Sequence, residues 1–348
     1  MKSPLPTGET VVLPPLVSFS SADDFKRALQ SEGRSPLDDE ALVAFDRLQR
    51  SGLPPLVSPT ALGVLLGVSP KLVTAMGLFP DRYYREFKVP KRRGGTRTIL
   101  APRTYLKAVQ RYVLKRILET RPLPPNVTGF VRGRSIVTNA SYHAKARYLL
   151  NVDLKDFFGS VHKKQVRRVF AGLGYSGRMS EVLGRLCTYR DSLPQGAPCS
   201  PYLANLCFLE TDAAIQRLCD RLSVTYSRYA DDLTFSRQKP FPGGFLDSVR
   251  FLVKRAGFDL NKKKTRFSGP GQRNLVTGLV VNAKVQPPRI LRRKLRAMFH
   301  QAEARPGRPK HSGPELLGWA SFVKTYSHAL GSKYMKVAKS NPANWPAR

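Results

Sequence analysis

The sequence predicts an α+β protein, and three observations carry that expectation. From Tyr105 to Leu118 apolar residues recur at helical spacing: Leu106, Val109, Val113 and Ile117 share one face, and Lys107, Arg111, Lys115 and Arg116 occupy the others. Around Tyr148–Asp153 and Val224–Phe235, apolar, β-branched and aromatic residues instead gather in short runs of strand length. Neither a Walker P-loop nor a dinucleotide fingerprint is present, which weakens ATPase and Rossmann readings.

Taken in order, residues 1–20 are proline-rich and expected to be extended. Ser21 reads as the N-cap of a helix at about 22–31, followed by a second helix at about 37–51. Thr60–Leu66 and Pro70–Leu78 read as two short helices joined at Gly67-Val68-Ser69. They are either a DNA-reading helix-turn-helix or a packed helical pair, and a second helix with one Lys and no Arg is poorly equipped to read bases. Lys91-Arg92-Arg93-Gly94-Gly95-Thr96-Arg97 forms a basic hairpin tip between strands at about 86–90 and 97–100; its cations suit phosphate, although a solvated basic turn reads the same way. After the helix from Tyr105 come the strand ending at Asp153 and a hairpin with acids at its turn. Beyond Lys284, Leu291, Leu295, Met298 and Ala302 form a helical face ringed by Arg292, Arg293, Lys294 and Arg296. The expected organisation is an N-terminal helical extension over 1–58, a central region over 59–283 and a basic C-terminal region over 284–348.

Lys and Arg number 59 against 24 Asp and Glu, a formal net charge of +35. Such an excess repels itself in a compact fold unless a polyanion shares the surface, so nucleic acid is the leading partner. The excess is uneven: residues 1–60 hold 8 acids against 6 bases, whereas the last 65 residues hold 14 bases and two acids. The longest apolar stretch, near Ala61–Val68, falls far short of the ~20 residues that span a bilayer. An anionic membrane surface is the other candidate for the basic charge, and the embedded acids described below argue against it, so no membrane partner is expected. No secretory signal is readable. Cys187, Cys199, Cys207 and Cys219 form no C-x-x-C pair, which leaves zinc and a disulfide framework unsupported and a reducing cytoplasm as the expected compartment.

Asp-Asp pairs occur at Asp23-Asp24, Asp38-Asp39 and Asp231-Asp232. The first two lie at predicted helix starts, where the macrodipole favours acids. The third interrupts a strand-like run, and turns ordinarily use Gly or Asn rather than two like charges. Asp153 follows an apolar run, so its carboxylate needs a partner. Carboxylates brought together repel unless a divalent cation neutralises them, and Mg²⁺ favours oxygen ligands and substrate phosphates. A strand-end Asp with an Asp pair on a hairpin is a ligand set suited to two-metal phosphoryl transfer.

Tyr229-Ala-Asp-Asp232 resembles the Y-x-D-D box of reverse transcriptases, Asp153-Leu-Lys-Asp-Phe-Phe158 their first catalytic motif, and Leu193-Pro-Gln-Gly-Ala-Pro-Cys-Ser-Pro201 the segment between them, all in the expected order. Asn139-Ala-Ser-Tyr-His143 and Val276-Thr277-Gly278 are similar to the N-A-x-x-H and V-T-G signatures of bacterial retron reverse transcriptases. The resemblance covers about residues 60–283. It implies a right-hand polymerase with fingers, an antiparallel palm sheet carrying the acids and a helical thumb. It implies RNA-templated DNA synthesis with Mg²⁺ and dNTPs on a dedicated structured noncoding RNA, which serves as template and primer. An internal guanosine 2′-OH starts the DNA in that family, giving a branched, RNA-linked single-stranded product. Phage defence with an effector protein is also implied. A group II-like, diversity-generating or abortive-infection reverse transcriptase is the alternative, as is an idle RNA-binding scaffold, although intact acids speak against the last.

By the same resemblance Asp153, Asp231 and Asp232 are the catalytic and metal-binding acids. Asp156 is either a further ligand or the partner of a nearby cation. Arg97 at the fingers tip is the candidate for the triphosphate, and Gln195-Gly196 lies under the nascent base pair. Lys264 either protonates departing pyrophosphate or is surface charge. Phe158 is the expected sugar gate; the competing register puts Phe157 in the pocket, since adjacent strand residues point oppositely. His143 belongs to the signature, yet a lone helical His is usually structural. Arg292, Arg293, Lys294 and Arg296 are the expected RNA contacts. Tyr326, Tyr334 and Trp345 are candidates to stack on unpaired bases, with core packing the alternative for Tyr326.

Overall fold

The computed structural model describes residues 22–32, 38–91, 94–304 and 311–340. The expected extended segment 1–20, the Ser21 cap, Arg92 and Arg93 of the hairpin tip, and Trp345 lie outside the described residues. The chain forms two compact units with interleaved boundaries.

The first unit takes the described residues up to Pro124 together with Lys155–Asp212 and Ala256–Phe258. It opens with α1 (Ala22–Glu32) and α2 (Asp39–Arg50). Asp23 and Asp24 sit in the first turn of α1, and Asp38 caps α2 by accepting from the Ala41 amide at 2.8 Å. Helices α3 (Pro59–Leu66) and α4 (Pro70–Leu78) are bent by 116° where Gly67 turns left-handed at φ 63. Ala61, Leu62, Val73 and Met76 are fully buried, and α4 packs on a later helix, α8 (Gly177–Cys187). The pair is thus a packed helical element. Strands β1 (Tyr84–Pro90) and β2 (Thr96–Pro102) form an antiparallel ribbon, two residues longer at its base than the sequence predicts. Helix α5 (Thr104–Arg116) buries Leu106, Val109 and Val113, the face read from its periodicity. Its buried Gln110 donates to the Tyr84 hydroxyl and the Leu186 carbonyl, both at 2.8 Å, and so ties β1, α5 and α8 together. Helix α7 (Lys163–Gly172) packs on α8 and on α9 (Ser200–Cys207). Glu181 of α8 draws Lys163, Arg167 and Arg185 to 3.4, 3.0 and 2.8 Å.

The second unit takes Pro125–Leu154, Ala213–Arg255 and the described residues from Asp259. Helix α10 (Leu209–Arg221) leads into it. Its sheet contains β3 (Tyr148–Asp153), β4 (Thr225–Tyr229), β5 (Asp232–Arg237) and β6 (Arg266–Ser268), antiparallel in the order β4-β5-β3-β6. The remaining elements are α6 (Ile136–Ser141), α11 (Phe245–Arg255) and the small pair β7 (Leu275–Val276) and β8 (Leu279–Val280). Ala140, Leu149, Val276, Leu279 and Val281 share one core. A second core joins α12 (Arg289–Ala304), α13 (Gly313–Tyr326) and α14 (His328–Lys339). Leu295, Met298 and Ala302 of the predicted α12 face are buried in it, with Leu291 partly so. Full burial of Leu295 and Met298 contributes about 1.5–3 kcal/mol each. Tyr334 is corrected from a base-stacking candidate to a core residue: it is 7% exposed and its ring stacks on Phe299 at 3.9 Å. Among the described residues no single helix is long and apolar enough to cross a membrane.

Candidate active site

Three buried residues, Leu149, Leu150 and Val152, hold β3 in the sheet and deliver Asp153 to its end, 6% exposed. The register sets Asp153 opposite Asp232 and Val152 opposite Leu233. Two carboxylates opposed across an antiparallel pair repel, so this register costs stability rather than adding it. Asp231 lies in the turn between β4 and β5, and its carbonyl accepts from the Leu154 amide at 2.8 Å.

The turn is held from behind. Ala230 adopts φ 58, a left-handed conformation that is strained for a residue with a Cβ. Its carbonyl accepts from the Arg228 guanidinium at 3.0 Å, and Arg228 is fully buried. Residues 126–128 run beside β4 as a parallel bridge, with Arg228 N donating to the Asn126 carbonyl and Thr128 N to the Arg228 carbonyl, both at 2.8 Å. Gly129 follows because a Cβ there would collide with the Ala230 amide.

Lys264 completes the cluster. Asn261 donates its amide to the Asp153 carbonyl at 2.7 Å, which docks the 3-10 turn Lys262–Lys264 at the end of β3. The Lys264 ammonium then donates to both Asp153 carboxylate oxygens at 2.8 Å. Burial works against its charge, but the Asp153 hydrogen bond and the charges of Asp153, Asp231 and Asp232 outweigh it and hold its pKa above the ordinary value. Asp232 is pushed up to about 6 by desolvation, then by Asp231 and Asp153, with Lys264 pulling the other way. The structure therefore brings Asp153, Asp231, Asp232 and Lys264 into one electrostatic cluster. Among the described residues no three His, Cys, Asp or Glu side chains form a complete metal cage. The donors are nevertheless hard carboxylate oxygens, one already neutralised by a cation, and Mg²⁺ is ordinarily held by one or two carboxylates plus substrate phosphates. The residues fit a shell shared between protein and substrate.

The two signature strings lie inside the same unit as scaffold. His143 sits just past the end of α6 rather than on a helix, fully buried. Its Nδ1 pairs with Ser236 Oγ and its Nε2 with Ser227 Oγ, both at 2.7 Å. Ser227 Oγ in turn donates to Asn139 Oδ1 at 2.7 Å, and Thr128 Oγ1 reaches the same oxygen at 2.8 Å. Desolvation lowers the His143 pKa to about 3, so the ring is neutral. Val276 is buried beside Ala140, and Thr277, at φ 47 before Gly278 at φ 83, donates to the Ile136 carbonyl at 3.0 Å.

In the first unit, Gln195 accepts from the Leu100 amide of β2 at 2.7 Å through its carbonyl. Gly196 has φ 126, and a Cβ there would come within 2.9 Å of Ile99 and of the Leu100 carbonyl. Arg97 is exposed on β2, opposite Val89. The segment 155–160 is a run of turns, so strand alternation does not decide between the two phenylalanines there. Phe157 is 3% exposed and packs on Phe208 and Phe258 with ring centroids at 5.8 Å, whereas Phe158 is half-buried. Asp156 forms no ion pair among the described residues; its carboxylate covers Gly159, where a Cβ would collide with it. On α12, Arg293, Lys294 and Arg296 are exposed and Arg292 half-buried.

Sequence reasoning missed Asn261, Arg228, Gly129, Ser227 and Ser236. Arg228 gave no signal, because a charged residue one place before Tyr229 reads as solvent-facing. Ser227 and Ser236 occupy the two strands of the recognised hairpin, and a buried His143 seeking partners was the available clue.

The family model described as reverse transcriptase (RNA-dependent DNA polymerase) matches residues 89–300. The chain is 36% identical to the retron Mx162 reverse transcriptase of Myxococcus xanthus, over 86% of this chain and 71% of that protein. It is also 36% identical to the retron Ec86 reverse transcriptase of Escherichia coli, over 86% of this chain and 96% of that protein. A solved telomerase from Candida albicans, in complex with a telomeric RNA fragment, aligns at 11% identity and a TM-score of 0.46 over 75% of this chain and 61% of the telomerase chain.

Proposed function

This chain belongs to the retron reverse transcriptases, a family of RNA-directed DNA polymerases with the right-hand polymerase fold, and on that premise we propose that it copies a dedicated structured noncoding RNA into a branched, RNA-linked single-stranded DNA. The observation that carries the site is the opposed pair Asp153 and Asp232, with Asp231 in the adjoining turn and Lys264 laid across Asp153. Asp153, Asp231 and Asp232 would hold the divalent ions of the family's chemistry, Mg²⁺ in this proposal. A bound divalent ion supplies charge neutralisation at the phosphate oxygens.

The chain's own residues do the rest. Lys264 neutralises Asp153 in the resting site and carries a firmly held proton close to where pyrophosphate departs. Arg97 binds the triphosphate of the incoming dNTP, Gln195 and Gly196 support the nascent pair, and Phe158 excludes a ribose 2′-OH by bulk. Arg292, Arg293, Lys294 and Arg296 hold RNA phosphates. The same reading carries a cytoplasmic role in phage defence with an effector protein.

The test replaces Asp231 and Asp232 by Asn, which keeps shape and removes charge. Primer extension on an RNA template should fall by about 10³-fold or more, while RNA retention on a filter persists. Robust extension by the double variant would overturn the site.

A further inference from the structure

Arg292 and Arg296 stand one turn apart on α12 and flank a cavity of about 240 Å³ that Lys284, Tyr326, Leu330 and Tyr334 also line. The cavity has a polarity of its own. No acid lines it, and none of its three cations forms an ion pair among the described residues. The Arg292 Nε is buried without a hydrogen-bond partner, an arrangement that costs free energy until an acceptor arrives. The first turn of α12 contains no acid, so Arg292 meets the positive end of the helix dipole with nothing to offset it. Aromatic surface is at hand in Tyr326, half-buried and edge-on to Phe322 with centroids at 5.6 Å.

We propose that this cavity receives one unpaired nucleotide of an RNA strand, with its phosphate on Arg292, Arg296 and Lys284 and its base against Tyr326. The inference rests on the RNA-copying reading above and divides its α12 quartet into two roles. Arg292 and Arg296 line the cavity, whereas Arg293 and Lys294 are exposed outside it and make ordinary phosphate contacts. The volume admits a single nucleotide and excludes a duplex, whose bases are stacked and inaccessible. A free nucleotide offers the same chemistry; the cations that continue along α12 beyond the cavity favour a strand.

Fluorescence anisotropy of the full chain tests this, with a labelled RNA hairpin bearing an unpaired loop set against the same stem closed as a blunt duplex. The looped RNA should bind about tenfold tighter, the size of one stacked base. Arg292→Gln/Arg296→Gln should abolish that preference. Tyr326→Leu should abolish it with the salt slope unchanged, because stacking releases no counterions. Arg293→Gln/Lys294→Gln should weaken both RNAs equally and keep the preference. Circular dichroism on each variant confirms folding. A preference that survives both cavity variants overturns the proposal. If neither arginine-containing pair alters the salt dependence, the RNA assignment of the whole tail fails, a separate result. If AMP raises the melting temperature through Arg292 and Arg296 while looped RNA shows no preference, the cavity serves free nucleotides and the RNA assignment is overturned.

Discussion

An ionised Asp232 faces Asp153 across the β3–β5 pair with Asp231 beside it, and desolvation together with those two charges moves its pKa up to about 6. An unfolded Asp ionises near 4, so between about pH 4 and pH 6 the folded state binds more protons than the unfolded one. Stability therefore falls as pH rises through that window and stays reduced above it. Asp232→Asn removes the penalty. In metal-free buffer at neutral pH the variant should melt about 2 °C higher than wild type. The gain should vanish near pH 4, where wild type is already protonated. It should also shrink when Mg²⁺ is added, because the ion stabilises only the carboxylate form. A variant no more stable than wild type in metal-free neutral buffer would show that the carboxylates do not feel each other.

At the level of elements, α6 and the β4–β5 hairpin are joined by polar groups with no access to water. His143 bridges Ser227 and Ser236, and Asn139 gathers Ser227 and Thr128. His143→Gln keeps one polar group but leaves a buried hydroxyl unpaired, which costs about 2 kcal/mol at pH 7. The neutral ring has a sign of its own: its pKa is lowered to about 3, so stability present above about pH 6.5 is lost as pH falls toward 3. Wild type should lose about 2 kcal/mol between pH 6.5 and pH 5 that the variant does not. Urea denaturation at pH 7 and pH 5 should therefore show the gap closing. A gap that stays constant would mean His143 titrates normally. The hairpin itself was legible in the sequence, because alternation around Asp231-Asp232 specifies strands whatever packs on them, and α5 was legible through its 3.6 period. The partners of His143 were not, since Ser227 and Ser236 lie more than eighty residues away and become neighbours only through strand register. Phe157 and Phe158 were argued on strand geometry, but the backbone there turns with Asp156 at φ 44. Tyr334 belongs to a helix whose aromatic face serves the core as readily as a base. Spacing shows which residues share a face; what that face meets is decided by tertiary contact.

For the molecule as a whole, the net charge of +35 sets the terms of stability. Few of the cations among the described residues are neutralised by an acid: in the last 65 residues, with 14 bases and two acids, Lys333 pairs with Glu303, and Glu315 is hydrogen-bonded to the His311 ring. Repulsion among the rest acts over a Debye length of about 10 Å at 0.1 M salt and about 3 Å at 1 M, so added salt relieves it. RNA relieves it more strongly, by placing phosphate charge on the cations, and a ligand at a hundred times its Kd adds about 2.7 kcal/mol. These effects run in opposite directions with ionic strength, because salt weakens the RNA contact by a slope of about 0.7–0.9 per phosphate. Melting temperature measured without RNA should thus rise from about 50 mM to about 500 mM NaCl. With saturating structured RNA it should start several degrees higher and fall toward the RNA-free curve. Convergence of the two curves at high salt separates a charge-driven partner from an apolar one, for which the gap would persist. An RNA-free melting temperature that drops with salt would mean that surface ion pairs, not repulsion, dominate, and nucleic acid would lose its standing as the counter-charge this chain requires.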